Sequence, residues 1–128
     1  MKSILIIDDD EFILFGLSKA ICGCIKDSAV VTARHGRQAV EILQDRHVDV
    51  VVTDLKMPVM NGYEVVDYVN RHFPELPVYV MTGDYLPDVM PRFQTASVSQ
   101  FLSKPFSFRQ VASDILATID RAAEPATA

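Results

Sequence analysis

The chain has 128 residues, 49% of them apolar and 23% charged, the balance of a single globular domain with a core of its own and no room for a second. Twelve basic against 17 acidic residues give a formal charge of −5 without a Lys/Arg cluster, which excludes a direct phosphate-backbone footprint on nucleic acid. The start enters an apolar run at once and meets three aspartates from Asp8, which excludes a membrane span or secretory leader and makes the cytoplasm the expected setting.

Residues 3–7, Ser-Ile-Leu-Ile-Ile, predict a first strand that runs into Asp8-Asp9-Asp10. A helical pattern over 11–24 follows, and Asp10 or Glu11 is suited simply to cap it. Cys22 and Cys24 project about 200° apart on that helix, poor geometry for a bridge or a shared metal, so reduced and packed thiols are expected. A second strand at 29–33 and a second helix at 36–45 come next. The third strand, 48–54, is nearly all Val and ends in Asp54, where a carboxylate is costly to keep unless something needs it. The turn Asp54-Leu-Lys-Met-Pro-Val-Met-Asn-Gly62 leads to a third helix over 62–71, with Gly62, Val65, Val66 and Val69 at i, i+3, i+4 and i+7. A fourth strand, 77–82, ends in Thr82-Gly83-Asp84. Between Tyr85 and Ala96 the helix signal is weak. Pro87 suits a first turn, but Pro91 removes a donor and clashes one turn back, costing about 3 kcal/mol mid-helix, so this helix should be short, displaced or bent. The fifth strand, 100–103, delivers Lys104-Pro105, and a last helix runs from Ser107, a fitting cap, to about Ala123 with Val111, Ile115 and Ile119 as its apolar stripe.

Strands apolar on both faces, alternating with helices, imply an α/β fold: a parallel sheet covered on both sides. In such sheets ligands bind outside the carboxyl ends of the strands. Asp8 and Asp9, Asp54, Thr82 and Lys104 all arrive there, whereas His35, His47 and His72 fall away from those ends. An oxygen-only acidic set suits a hard cation such as Mg2+ rather than zinc. Two carboxylates about 4 Å apart repel by roughly 4 kcal/mol at an effective dielectric of 20, so Asp8, Asp9 and Asp54 need a divalent ion and Lys104 nearby. Taken singly, a strand-end Thr or Lys is ordinary surface composition; taken together, these residues call for a shared ligand.

The ordered set of the acidic pair Asp8-Asp9, Asp54-x-x-Met57-Pro58-x-x-x-Gly62, Thr82-Gly83 and Lys104-Pro105-Phe106 resembles the receiver domain of two-component response regulators, over about residues 2–123. The resemblance implies a flavodoxin-like (βα)5 sandwich with strand order 2-1-3-4-5 and helices on both faces, occupying residues 1–124, with 125–128 a frayed tail or the start of a linker. It further implies that Asp54 accepts a phosphoryl group from a phosphohistidine on a sensor histidine kinase or phosphotransfer protein. Asp9, Asp54 and the backbone carbonyl of Lys56 would then ligate Mg2+, Asp8 would hold it through water, and Lys104 and Thr82 would contact the phosphoryl oxygens. The Lys104-Pro105 bond matches the family's cis peptide, which would aim Lys104 inward. Thr82 and Phe101 would form the switch, Phe101 by packing alone, and the fourth helix, fifth strand and fifth helix would be the partner or homodimer face. The output is either a separate protein target or a fused effector domain beyond the receiver.

Two departures stand out. Ser97-Val98 replaces the small Gly-Ala pair common before strand five, and Lys56 and Asp84, each two residues past a site residue, are placed to pair with each other. A haloacid-dehalogenase-like phosphohydrolase is the rival enzyme reading, and Asp8-Asp9-Asp10 satisfies its Asp-x-Asp. However, Phe12 stands where that family needs Thr or Val, and only the helical Asp114 and Asp120 follow Lys104. A flavin-binding module would need a phosphate loop where three aspartates stand. An inactive receiver scaffold would not need the complete set of Asp8, Asp9, Asp54, Thr82 and Lys104.

Overall fold

The computed structural model describes residues 1–123. The elements follow in order: β1 (Lys2–Ile7), α1 (Glu11–Cys24), β2 (Ser28–Ala33), α2 (Gly36–Asp45), β3 (Val50–Asp54), α3 (Gly62–His72), β4 (Val78–Thr82), α4 (Leu86–Val89), a 3-10 turn (Met90–Phe93), β5 (Gln100–Ser103) and α5 (Phe108–Ala123). The five strands pair in parallel in the order β2-β1-β3-β4-β5, as the resemblance implies. The tail expected at 125–128 lies outside the described residues.

Strand alternation sends successive side chains to opposite faces, and here both faces are covered. Ile4, Ile6, Val50, Val52, Tyr79 and Met81 pack beneath α1 and α5 with Leu17, Ile21 and Ile115. Leu5, Ile7, Val51, Val78 and Val80 point the other way, onto Leu43, Val65 and Val69 of α2 and α3. That double burial is why β3 and β4 read as unbroken apolar runs.

Several details differ from the sequence reading. β3 starts at Val50 rather than Val48, because Asp49 turns its carboxylate back to accept from the Ser3 N–H at 2.8 Å and to meet His47 Nε2 at 2.9 Å. Burial opposes the Asp49 charge, but those bonds hold its carboxyl below the usual carboxylate range. Cys22 is exposed rather than packed; Cys24 is partly buried against the core, and both are free thiols. The weak helix, by contrast, is short as expected: a single turn, α4, with Pro91 carried in the separate 3-10 turn. Finally, His35 does not fall away from the strand ends but sits just past β2, where its Nδ1 accepts from the Gln38 N–H at 3.3 Å and caps α2.

Other expectations hold in detail. Ser107 caps α5 through Oγ, which accepts from the Gln110 N–H at 3.2 Å, and Lys104-Pro105 is cis. His47 and His72 lie away from the carboxyl edge, His72 against Tyr68 at a ring separation of 4.4 Å. Among the described residues no helix is long and apolar enough to cross a membrane.

Candidate functional site

Three strand ends converge on one acidic cluster. β1 delivers Asp8, which is fully buried, and Asp9, which is exposed, while β3 ends in Asp54, only 8% exposed. One carboxylate oxygen from each lies within 4.8 Å of the others. Lys104 follows β5 into this cluster, its Nζ 2.9 Å from Asp8 Oδ2 and 3.3 Å from Asp54 Oδ1. Asp8 Oδ1 accepts from the Asp10 N–H at 3.0 Å, and Asp54 Oδ1 from the Leu55 N–H at 2.9 Å. Among the described residues nothing bonds to Asp54 Oδ2, so that oxygen is left for a ligand.

The electrostatics follow from burial. Loss of water, and then the charge of Asp8, push the Asp54 carboxyl up to about 6 against the pull of Lys104 and the Leu55 N–H. Burial works against the Lys104 charge too, but the hydrogen bond to Asp8 and the charge of Asp54 outweigh it and hold the ammonium above the usual lysine range. Three carboxylates with one lysine leave a net charge of about −2, built only of oxygen donors. That donor set fits a hard divalent cation such as Mg2+.

Thr82 closes β4 and is buried; its Oγ1 accepts from the Asp84 N–H at 3.0 Å, which leaves the hydroxyl proton free to donate. Lys56, in the loop after β3, reaches Asp84 at 3.0 Å, the pairing that the sequence anticipated. Both side chains are well exposed, so this pair adds at most about 1 kcal/mol of stability. Asp10 accepts from the Phe12 N–H at 2.9 Å and is a helix cap, not part of the cluster, and Glu11 pairs with Arg34 at 2.8 Å.

The loop carrying Asp54 is held from behind. The Gly62 N–H donates to the Leu55 carbonyl at 2.9 Å, the Gly36 N–H donates to the Met60 carbonyl at 2.9 Å, and Val59 sits at φ 70 in a tight turn closed from Met60 N–H to Pro58 carbonyl. A Cβ at Gly62 would strike the Asp54 carbonyl and come within 2.7 Å of the Leu55 Cα. Backbone cannot step aside as a side-chain tip can. Gly62→Ala is therefore expected to cost about 1–3 kcal/mol in a urea titration. A loss below a few tenths would show that the loop yields freely.

Phe101 lies beside Val80 in β5, on the sheet face that Thr82 shares, and its ring meets Phe93 at 5.5 Å. Three residues near it escaped the sequence reading: Tyr63, Arg92 and Phe93. Tyr63 is 29 residues from Arg92 and none of the three belongs to a motif, so no local signal marks them as neighbours.

A family model described as Response regulator receiver domain matches residues 4–116. The DNA-binding transcriptional regulator NtrC of Klebsiella pneumoniae is 28% identical over 117 residues, covering 91% of this chain and 24% of that protein. A probable cyclic di-GMP phosphodiesterase of Vibrio cholerae is 34% identical over 108 residues, covering 82% of this chain and 24% of its own length. The chain thus spans about a quarter of these curated relatives. Among solved structures, the chemotaxis response regulator CheY4 of Vibrio cholerae superposes with a TM-score of 0.81 at 26% identity, covering 93% of this chain and 98% of that one. A CheY-like receiver domain protein from Methanospirillum hungatei, at 21% identity, shares the fold with a TM-score of 0.85, covering 94% and 95%.

Proposed function

Because the chain belongs to the response regulator receiver domain family of two-component signalling, whose members are regulatory, we propose that it is a phosphoacceptor switch with Asp54 as the acceptor. One observation carries this reading: Lys104 Nζ bridges buried Asp8 and Asp54 while Asp54 Oδ2 is left free. Phosphoryl transfer asks a protein mainly for positioning and charge stabilisation. Asp54 Oδ2 forms the new O–P bond as the N–P bond of a partner's phosphohistidine breaks, the electron pair returning to the imidazole. Lys104 then turns from Asp54 Oδ1 to the phosphoryl oxygens, and Thr82 gives them its hydroxyl proton in a hydrogen bond. Mg2+ held by Asp8, Asp9, Asp54 and the Lys56 carbonyl would neutralise charge on the same oxygens.

The donor in this reading is a sensor histidine kinase or phosphotransfer protein in the cytoplasm. We take residues 1–124 as the receiver unit. Its output passes either to a separate protein or to a fused effector, as in relatives named for DNA binding or cyclic di-GMP hydrolysis, with the α4, β5 and α5 face as contact or dimer surface.

Incubation with acetyl phosphate and Mg2+ tests the acceptor. Intact mass should rise by one phosphoryl group, and Asp54→Asn should abolish the gain. Turnover of phosphate esters with no retained adduct would instead favour the phosphohydrolase reading.

A further inference from the structure

The Phe101 ring is the first of a continuous stack. Its contact with Phe93 is edge-on, at 61° between planes, and Phe93, itself buried, lies nearly flat on Tyr63 of α3 at 4.9 Å and 16°. Arg92 closes the stack: its guanidinium stands 4.6 Å from the Tyr63 ring centroid, and Nη1 donates to the Tyr63 hydroxyl at 3.1 Å. Both geometries are attractive ones, so the three rings and the cation hold one another in place. The chain path thus links β5, beside the phosphoacceptor edge, to the outer side of α3.

The element that carries Phe93 and Arg92 is built to shift. α4 is one turn with no side-chain cap, and the 3-10 turn after it also lacks one. Its backbone bonds close single turns only, from the Asp88 and Val89 N–H to the Tyr85 carbonyl and from the Ala96 N–H to the Phe93 carbonyl, and without a cap to reinforce them such a segment belongs to the low-stability end of a domain. Its far end, by contrast, is fixed to α3, where Asn70 donates to the Ser97 carbonyl at 3.1 Å and accepts from the Ser97 N–H at 2.6 Å. α3 therefore grips the segment twice, with a hinge at Ser97 and a latch at Arg92.

We propose that the Phe101, Phe93, Tyr63 and Arg92 stack is a latch that relays the state of Asp54 to the α3 surface. This rests on the phosphoacceptor reading. When the Thr82 hydroxyl turns to a phosphoryl group on Asp54 and Phe101 moves toward the space it leaves, Phe93 loses its edge partner. The Tyr63 and Arg92 contact then opens. The phosphorylation state is thereby displayed on α3 as well as on the α4, β5 and α5 face.

The sequence contains no Trp, so Tyr63→Trp places a single indole under Arg92. Its emission is followed as acetyl phosphate and Mg2+ are added, while intact mass of the same sample reports phosphoryl uptake. The expected result is an emission shift in step with uptake, lost when Phe93→Leu is added although uptake continues. Uptake with unchanged emission overturns the relay, and so does a shift that survives Phe93→Leu. Absence of uptake in the unsubstituted chain overturns the phosphoacceptor reading and takes the relay with it. Amide hydrogen exchange of the unsubstituted chain decides the matter if Tyr63→Trp does not fold. Exchange over residues 90–97 should speed up on phosphorylation, and in Arg92→Ala without it; identical exchange in all three samples overturns the relay.

Discussion

Asp54→Asn is expected to stabilise the folded chain at pH 7 while ending phosphoryl uptake. The carboxyl of Asp54 is held at about 6 in the fold against 3.8 outside it, because burial and the Asp8 charge penalise its ionised form. The fold therefore binds this proton more tightly than the unfolded chain does. With the folded value raised, protonation of Asp54 stabilises the fold fully below about pH 4, and that stabilisation is lost as pH rises through about 6. At neutral pH the fold carries a charge that Lys104 and the Leu55 N–H only partly offset, at a cost of about 1–3 kcal/mol, since each tenfold change in proton affinity corresponds to about 1.4 kcal/mol. Asn keeps the shape and still accepts from the Leu55 N–H but brings no charge. Urea titrations at about pH 5 and pH 7 check this: unsubstituted chain should gain stability on acidification over that window, and the variant should be nearly flat. A variant less stable than the parent at pH 7 would mean that Lys104 needs the Asp54 charge more than Asp8 suffers from it.

Saturating Mg2+ should shrink the same difference, since an ion that binds only the folded parent stabilises it by mass action. A site that costs stability when empty of partners is the expected signature of function, where a local rule is broken and supported from elsewhere. Asp54 has that character on sequence grounds alone, as an acid at the end of a strand that is nearly all Val. Its partners were legible for a related reason. Thr82 closes a strand and Asp8, Asp9 and Lys104 directly follow one, and in a parallel sheet the strand ends meet at one edge whatever the helices do. Strand and helix periodicity sufficed for α1 and α2, whose bounds match the reading, because their faces are set by local spacing. The segment after β4 was not legible in the same way. Pro91 announced that no full helix could form there, but the position of the 3-10 turn is set by Phe93 wedging between Tyr63 and Phe101, contacts made across long stretches of chain. Likewise His35 gave no sign of being a cap, since its role depends on which ring nitrogen faces the Gln38 N–H.

Lys104→Met is expected to have the opposite effect to Asp54→Asn and a larger one. Met preserves the apolar stem of the side chain and most of its length, so the loss is chiefly that of the ammonium. Asp8 has 1% of its side chain exposed and Asp54 11%, and Lys104 Nζ is the cation that touches both. Breaking a buried pair by removing one member leaves the other charged and desolvated, which costs about 3–5 kcal/mol when nothing else can relieve it. Here something can: Asp54 takes up a proton readily, so the penalty at pH 7 should sit near the lower figure and fall further on acidification. Lys104 itself adds no pH dependence in that window. Its folded value is raised, so its stabilisation is complete below the unfolded lysine range and is lost only as pH rises through the folded one. Combining the substitutions isolates the mechanism. Lys104→Met with Asp54→Asn should recover more of the loss than Asp54→Asn adds to the parent, since without the ammonium Asp8 faces a second acid that nothing offsets until the amide replaces it. Mg2+ should protect Lys104→Met in thermal unfolding by a wider margin than it protects the parent, because the ion would meet an acidic cluster with no lysine competing for it. Strict additivity in the double variant, together with equal protection by Mg2+, would show that Lys104 stabilises the fold through its packing and not through the charge it places between Asp8 and Asp54.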